Sequence, residues 1–250
     1  MEKNSFLEIN KNGWNTLVKE NNSFSNASLP EYGPFMVNEE ELKIFKDVKN
    51  KKVLELGCAS GNSLKYLESK GAGELWGVDI SSEQIEKALN ANIKSSNFFV
   101  SSMEVNPGIP NDYFDYVMSL YSIGYSSNPL SVFKLASSYL KKNGKFVLCW
   151  AHPFFNCLSI QDDKLTINHN YNDETPQIIT KGENKVELMQ YNLKISTLIN
   201  GIIDSGMEIE KVFEENPTEE NRLGSYVSPY FDKRKLNVAP TTLIIVAHKK

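Results

Sequence analysis

The feature of this sequence that most restricts its fold is a short apolar run that leads directly into a glycine-containing turn. The run at 53–56 reads VLEL, the turn at 57–61 reads GCASG, and a helix is predicted to follow. Gly57 and Gly61 are of the residue type that adopts positive φ without strain and lets a ligand approach the backbone closely. A buried strand that turns sharply into a helix in this way indicates an α/β protein.

Strand and helix patterns alternate along most of the chain. The first fifty residues are predicted to be helical, with Asn38 starting a second helix, and Ser81 or Ser82 is predicted to start another. Later helices are predicted at 129–140 and 189–205. The remaining predicted strands are at 75–79, 97–101, 116–120, 145–150, 207–213 and 241–247. Short apolar strands separated by helices are typical of a parallel sheet buried on both faces.

The length of 250 residues suits one large α/β domain better than two full domains. We predict an N-terminal helical segment at 1–50 and a cofactor-binding core at 51–150. Two polar insertions, at 151–187 and 214–239, are predicted to form a lid over the substrate. A composition of 40% hydrophobic and 23% charged residues excludes a disordered or fibrous chain.

Charge and cysteine content narrow the class of partner and the compartment. The 27 Lys and Arg against 31 Asp and Glu give a net charge of −4, which does not favour a nucleic-acid partner. No apolar run approaches the ~20 residues of a membrane span, and no apolar segment follows a basic start, so we expect no membrane association and no secretory signal. The three cysteines suit a reduced compartment. We therefore expect a cytoplasmic monomer or homodimer.

An acid at the end of the next predicted strand indicates the kind of ligand. Asp79 follows Glu55 by 24 residues, and a right-handed crossover places both at the sheet edge where open α/β sheets bind ligands. A carboxylate accepts two hydroxyl hydrogen bonds at once, which suits Asp79 to a ribose diol. The turn lacks the G-x-G-x-x-G spacing of a dinucleotide site, since Ala59 replaces the second glycine and Gly61 falls one place early. Glu55 would repel a pyrophosphate but suits an ammonium and a sulfonium, which favours S-adenosylmethionine over NAD.

With these features the sequence resembles the class I S-adenosylmethionine-dependent methyltransferases. E-x-G-x-A-x-G at 55–61, followed by VDIS at 78–81, is similar to the family's acid-x-G-x-G-x-G motif and the acid that follows it. LKKNGK at 140–145 is similar to the family's L-x-P-G-G turn, with Asn143 and a missing proline as departures. YGP at 32–34 and AHPF at 151–154 further resemble small-molecule methyltransferases of bacterial type. The resemblance is good over about residues 31 to 150 and loose elsewhere.

The resemblance implies a Rossmann-like three-layer sandwich with helices on both faces of a seven-stranded, mostly parallel sheet. The implied strand order is 3-2-1-4-5-7-6, with the seventh strand antiparallel. Ser102 and Met103 are implied to contact adenine, and 114–125 to flank the methionine part of the cofactor. The whole predicted cofactor-binding set is Tyr32, Glu55, Gly57, Cys58, Ala59, Gly61, Asp79, Ile80, Ser102, Met103, Ser119 and Leu120.

Several of these residues also have a plain structural explanation. Glu55 can cap the helix or pair with a lysine, and Met103 can belong to the core. Ser119 can be a simple strand-end residue, and Tyr32 can pack the N-terminal segment. These alternatives stay open from the sequence.

His152 is the candidate catalytic residue. It follows the predicted strand at 145–150, at the edge where the methyl group would be presented, and would take a proton from a phenol, carboxylic acid or amine acceptor. The alternative is a histidine that holds the turn before the next proline. A zinc site is a further alternative, but its spacing matches no tight knuckle, and we predict no metal. The residues of that alternative site are Cys149, His152, Cys157 and His169.

The methyl acceptor is predicted to be a small molecule. The loop at 119–122 reads SLYS, not the Asn/Asp-Pro-Pro-Tyr/Phe that binds an exocyclic amine of a nucleobase. Aromatic residues of the two insertions are candidate walls of an acceptor pocket: Phe154, Phe155, Tyr226, Tyr230 and Phe231. Two rival functions remain, an NAD(P)-linked oxidoreductase and a non-catalytic module that binds S-adenosylmethionine or S-adenosylhomocysteine.

Overall fold

A computed structural model describes residues 3–20, 29–33, 35–214 and 231–250. In these ranges the strands form one seven-stranded sheet and two separate hairpins. The strands are β1 (Lys52–Leu56), β2 (Glu74–Asp79), β3 (Ser96–Val100), β4 (Phe114–Leu120), β5 (Leu140–Ala151), β6 (Leu158–Gln161), β7 (Lys164–Ile167), β8 (Gln177–Lys181), β9 (Val186–Gln190), β10 (Met207–Phe213) and β11 (Thr242–Lys249).

The helices of the described ranges are short apart from the first. They are α1 (Lys3–Lys19), α2 (Glu39–Leu42), α3 (Asn62–Ser69), α4 (Ser82–Asn90), a 3-10 turn (Ile123–Tyr125), α5 (Pro129–Tyr139), α6 (Pro153–Cys157), α7 (Ile195–Asp204) and α8 (Lys233–Leu236). None of these helices combines the length and the apolar character needed to cross a membrane.

The large sheet has the strand order β3-β2-β1-β4-β5-β11-β10. β11 is antiparallel to both of its neighbours, β5 and β10, and the other neighbouring pairs are parallel. When only these seven strands are numbered along the chain, the order is 3-2-1-4-5-7-6 with the seventh strand antiparallel. The predicted Rossmann-like fold is therefore confirmed.

Helices cover both faces of this sheet. On one face Phe133 of α5 and Leu198 of α7 pack in the same core as Leu54 of β1. On the opposite face Leu64 of α3 packs in the same core as Val53 of β1. Neighbouring residues of one strand thus enter different cores, which explains why the strand is a continuous apolar run.

The helix predicted to start at Asn38, in a segment predicted to be helical to residue 50, is only a single turn. It is therefore shorter than predicted. Asn38 caps α2, as predicted, by accepting a hydrogen bond from the Glu41 N–H at 3.2 Å. The next residue after α2, Lys43, has a left-handed φ of 53° and ends the helix. The carboxylate of Glu39 accepts a hydrogen bond from the Phe45 N–H at 2.6 Å. This bond takes the place of a second helical turn and leaves Phe45 buried in the core.

Two other predicted boundaries are also wrong. The helix predicted at 189–205 begins at Ile195, because the residues before it form β9, which pairs with β8. Leu188 and Met189 are buried in that hairpin, and a short apolar run does not distinguish a strand from the start of a helix. The strand predicted at 145–150 begins earlier, at Leu140, through a register irregularity against β4.

The first predicted insertion contains regular structure that the sequence did not predict. Residues 151–187 include α6, the β6–β7 hairpin and most of the β8–β9 hairpin. The strands β7 and β8 are largely exposed or half-buried, so they carry no apolar run to predict them. Most of the second insertion, at 214–239, lies outside the described residues.

Helix α1 packs closely on β9 and on the 3-10 turn after β4. The buried Asn10 donates to the carbonyl oxygens of Tyr125 and Met189, at 2.9 and 3.0 Å, and accepts from the Met189 N–H at 2.7 Å. A Cβ atom on Gly13 would lie 2.6 Å from the carbonyl oxygen of Glu187. The helix and the strand therefore meet at a point that has no room for a side chain.

Gly13→Ala is expected to destabilise the protein. Alanine gains ~0.5–1 kcal/mol over glycine in a helix interior, but overpacking costs ~1–3 kcal/mol, so the clash with β9 outweighs the gain. Urea unfolding measures the difference, and Asn12→Ala, an exposed site on the same helix, is the control. A Gly13→Ala protein as stable as the parent would contradict the packing of α1 on β9.

Candidate functional site

The turn between β1 and α3 has a backbone that few residues adopt. Gly57, Ala59 and Gly61 have φ values of 76°, 45° and 78°. A Cβ atom on Gly57 would lie 2.2 Å from the Cβ of Ser122, in the loop after β4. Glycine is therefore required at 57 both by the positive φ and by the approach of this neighbouring loop.

Asp79, at the end of β2, fixes this turn. Its Oδ2 accepts a hydrogen bond from the Ala59 N–H at 2.9 Å, and its Oδ1 accepts one from the Ser81 N–H at 2.8 Å. Burial raises the pKa of Asp79 to about 6, and the backbone N–H groups of Ser81, Ala59 and Ile80 oppose that rise. Each carboxylate oxygen has two lone pairs, so Asp79 retains acceptor capacity for hydroxyl groups.

Glu55 brings a second carboxyl group into the buried part of the site. Glu55 is 3% exposed, and in the described ranges its Oε2 has no hydrogen-bond partner. Burial, together with the nearby carboxyls of Glu31 and Asp79, raises the pKa of Glu55 well above the usual carboxyl range. A buried acceptor without a partner is costly unless a ligand satisfies it.

Glu31 belongs to the same group of acids, and sequence reasoning missed it. Its Oε1 accepts a hydrogen bond from Asn62 at 3.1 Å, and its backbone N–H donates to Ser63 at 3.0 Å. It is therefore attached to the first turn of α3. Burial raises the pKa of Glu31, and the Asn62 hydrogen bond opposes the rise. Glu31 directly precedes the YGP motif at 32–34, but that resemblance assigned no role to an acid at 31 and no spacing pointed to it.

The first turn of α3 adds a complementary feature. Its N-cap is Gly61, which provides no side chain to bond the first N–H groups of the helix. Free N–H groups and the helix dipole favour an anionic group at this end. The site thus combines three carboxyl groups with one helix N-terminus, which suits a ligand that carries both positive charge and a carboxylate.

Residues from the loops after β3 and β4 also reach the turn. The Cε of Met103 lies 3.3 Å from the position of a Cβ on Gly57. Ser119 and Ser122 share a hydrogen bond of 2.7 Å, and Ser122 also donates to the carbonyl of Leu56 at 2.6 Å. Of the predicted residues, Met103 is therefore next to the glycine turn, and Ser119, at the end of β4, is connected to it through Ser122.

The remaining predicted cofactor residues are distributed between the turn and its surroundings. Ile80 follows Asp79 and is half-buried, and the Ser102 hydroxyl accepts from the Glu104 N–H at 3.2 Å. Leu120 and Cys58 are buried. Burial, with the Asp79 and Glu55 carboxyls, raises the pKa of the Cys58 thiol well above its usual range, so this side chain is a neutral packing group.

Tyr32 is not at the open part of the turn. Its side chain is 0% exposed within the second core, and its hydroxyl donates to Glu39 at 2.5 Å. This geometry agrees with the packing role, and the cofactor contact of Tyr32 stays a prediction. Pro34 of the same motif lies outside the described residues.

His152 lies at the end of β5, as predicted, and both of its ring nitrogens have partners. Nδ1 accepts a hydrogen bond from the Phe154 N–H at 3.2 Å, which caps α6. Nε2 is 2.8 Å from Oε1 of Glu214, so in the neutral ring Nε2 carries the proton and donates it. The lone pair that a general base needs is therefore engaged in the cap.

The alternative zinc residues do not come together. The Cys149 thiol donates to the carbonyl of Tyr32 and the Cys157 thiol to that of Pro153, whereas His169 is next to Gln177. In the described part of the chain no group of three or more His, Cys, Asp and Glu has the arrangement of a metal site.

The aromatic residues predicted to line an acceptor pocket differ in how deeply they are buried. Phe155 and Phe231 stack at 5.9 Å and form a small third core with Phe35, so they close a core rather than line an open wall. Phe154 is 38% exposed. Tyr226 and Tyr230 lie outside the described residues.

Comparison with known proteins identifies a family for this chain. The family model described as a methyltransferase domain matches residues 37–195. An uncharacterized protein of Haemophilus influenzae is 25% identical over 224 residues, which span 83% of this chain and 85% of that protein.

Two solved structures share the fold. A protein of Listeria monocytogenes, described as an S-adenosylmethionine-dependent methyltransferase, has a TM-score of 0.67 and 22% identity over 85% of this chain and 96% of its own. An S-adenosylmethionine-dependent methyltransferase of Mesorhizobium loti has a TM-score of 0.68 and 22% identity over 81% of this chain and 93% of its own.

Fold and glycine turn together define a class I S-adenosylmethionine-dependent methyltransferase. The family model spans more than half of the chain, and the chain therefore belongs to the methyltransferase-domain family. Its cofactor is S-adenosylmethionine, as the sequence predicts. This assignment leaves the two rival functions, an NAD(P)-linked oxidoreductase and a non-catalytic module, without support.

Glu55→Gln is expected to reduce the loss of stability on going from acidic to mildly alkaline pH. The folded-state pKa of Glu55 is raised, so its contribution to stability is complete below the unfolded pKa and is lost as pH rises through the folded one. Glutamine keeps the shape and removes this titration. Urea unfolding between about pH 5 and about pH 8 measures the effect, with the exposed Glu86→Gln as control. Parallel pH profiles for Glu55→Gln and the parent would show that folding does not raise the pKa of Glu55, which contradicts the prediction.

Proposed function

We propose that this chain transfers a methyl group from S-adenosylmethionine to a small-molecule acceptor, with the cofactor bound at the β1–α3 turn. The observation that carries this proposal is the buried Glu55 carboxyl, whose Oε2 has no partner in the described ranges and which lies near Glu31 and Asp79. A cation beside these carboxyls would favour their ionised forms, so the turn suits a cationic ligand that approaches the backbone at its positive-φ residues.

Each part of the cofactor has a matching group in this site. Asp79, held by two backbone N–H groups, accepts the ribose hydroxyls. Burial favours the protonated forms of Glu55 and Glu31, and a cation bound beside them would favour their ionised forms, which pair with its positive charges. The open first turn of α3 suits the carboxylate. Met103, which is close to the turn at Gly57, is proposed to contact the adenine ring. S-adenosylmethionine, when bound, supplies a methyl group that is already activated by the sulfonium.

A dinucleotide suits this site poorly. A pyrophosphate needs positive charge or free N–H groups without competing anions, whereas here the acids Glu31, Glu55 and Asp79 surround the turn. The methionine part of S-adenosylmethionine has the opposite charge pattern. This difference, rather than the fold, is what favours the methyl donor.

The acceptor is proposed to be a small molecule that packs against aromatic rings. Tyr121 directly follows β4, and Trp150 is near the end of β5, with ring centroids 5.8 Å apart. Tyr125 meets Trp150 edge to face at 5.3 Å, and Trp14 of α1 meets Tyr125 at 5.1 Å. Trp150 is itself buried in the core, but the half-buried Tyr121 and Tyr125 that pack on it lie beside the carboxyl ends of β4 and β5 and support an apolar acceptor site there.

Thermal unfolding with S-adenosylmethionine, S-adenosylhomocysteine and NAD in parallel tests the proposed binding site. A ligand at 100 times its dissociation constant adds ~2.7 kcal/mol to stability, and we expect this from the first two ligands. Asp79→Asn should remove most of the stabilisation, whereas the exposed Glu86→Gln should not. Stabilisation by NAD alone, or an undiminished effect in Asp79→Asn, contradicts the proposal.

The catalytic role of His152 stays a prediction, and a matched pair of variants separates it from capping. Asparagine is a good N-cap but not a general base, so we expect His152→Asn to keep the stability that His152→Ala loses, about 1 kcal/mol. Release of S-adenosylhomocysteine is then measured with a panel of small phenols, amines and carboxylic acids. A stable His152→Asn protein with turnover at least ~10²-fold lower would assign proton transfer to the imidazole.

A further inference from the structure

Helix α1 is joined to the proposed ribose site by two consecutive hydrogen bonds. The Oδ1 of Asn15 accepts from the Ser81 hydroxyl at 2.7 Å, and the Ser81 N–H donates to Oδ1 of Asp79 at 2.8 Å. The Ser81 hydroxyl also accepts from the Gln84 N–H at 3.2 Å as the cap of α4. Ser81 is fully buried, so its hydroxyl hydrogen has to be satisfied within the protein.

We propose that Asn15 is a positioning residue for the cofactor, which fixes Ser81 and thereby holds the Asp79 carboxylate in the orientation that accepts the ribose hydroxyls. The inference rests on the proposed function of Asp79. It adds a contribution from the N-terminal helix, which lies before the region 37–195 matched by the family model.

The geometry leaves the Asp79 carboxylate little freedom while Asn15 is present. Ala59 holds one oxygen and Ser81 holds the other, so the plane of the carboxylate is set by the two segments that flank it. The Ala59 segment is fixed by the sheet, since Gly57 and Cys58 donate to the carbonyl of Val78 at 2.7 and 3.0 Å. The Ser81 segment begins α4 and is fixed from outside the sheet by Asn15.

A second attachment keeps Asn15 in place. One and a half turns earlier on α1, Asn10 bonds the backbone of Tyr125 and Met189. Trp14 packs edge to face on the ring of Tyr125. Helix α1 is thus attached both to the segment after β2, on the ribose side, and to the loop after β4, on the methionine side. Displacement of either attachment changes the other, because the helix between them is rigid.

Asn15→Ala is expected to weaken the binding of S-adenosylhomocysteine about tenfold, which corresponds to the loss of one well-aligned hydrogen bond. Isothermal calorimetry measures this dissociation constant. The matched control is Asn12→Ala, an exposed asparagine on the same helix, which should bind like the parent. Asn15→Asp keeps an oxygen acceptor at the same place and should bind more tightly than Asn15→Ala.

A second ligand distinguishes positioning from a general loss of structure. The 2′-deoxy analogue of S-adenosylhomocysteine lacks one hydroxyl of the diol, so the loss caused by Asn15→Ala should be clearly smaller for this ligand. An equal loss for both ligands would overturn the inference and leave Asn15 as a purely structural residue. If Asn15→Ala does not fold, the same two-ligand comparison is made with Asn15→Leu, which has a similar volume and no acceptor: a smaller loss for the 2′-deoxy analogue supports the inference, and an equal loss for both ligands, or no loss, overturns it.

Asp79→Asn separates this inference from the proposed function. If Asp79→Asn binds S-adenosylhomocysteine like the parent, the ribose role of Asp79 is wrong and the inference is wrong with it. If Asp79→Asn weakens binding but Asn15→Ala does not, the proposed function stands and only the role of Asn15 is overturned.

Discussion

The hydrogen bonds of the Asp79 carboxylate are the interaction on which the site depends. Ala59, at the centre of the turn, has a positive φ that alanine does not favour, and Asp79 ties it to the start of α4 at Ser81. The two parallel strands β1 and β2 end side by side, so one carboxylate can reach both segments. The same group is the one proposed to accept the ribose hydroxyls, and the stability of the turn and the binding of the ligand are therefore coupled.

The sheet could be predicted because its signals are strong and local. Strands buried on both faces are continuous apolar runs, and Gly57, Gly61 and Asp79 follow two such runs at a spacing that a βαβ unit explains. Strand order followed from the family resemblance and is confirmed by the topology. The caps at Asn38 and Ser81 also follow from local chemistry.

The parts that the sequence did not predict depend on contacts between distant segments. Glu31 joins the acids only because its segment is attached to α3, and no pattern near residue 31 signals this. The β6–β7 and β8–β9 hairpins have mostly polar strands, so the pattern of apolar residues does not predict them. Helix α2 ends after one turn because the Glu39 side chain accepts a hydrogen bond from the Phe45 backbone. Helix propensities do not predict such a bond. Tyr32 matches a motif position, yet its hydroxyl bonds Glu39 in the core.

The buried carboxyl of Glu55, whose Oε2 has no hydrogen-bond partner in the described ranges, has a consequence for the catalytic cycle. Methyl transfer removes the positive charge from sulfur, so the spent cofactor is neutral where the fresh one was cationic. Burial favours the protonated form of Glu55 in the empty protein, and a cation beside it would favour the carboxylate, so the proposed site binds the cationic cofactor more tightly than the neutral product. In the proposed site, this ionisation of Glu55 on binding favours exchange of product for substrate and limits inhibition by accumulated S-adenosylhomocysteine.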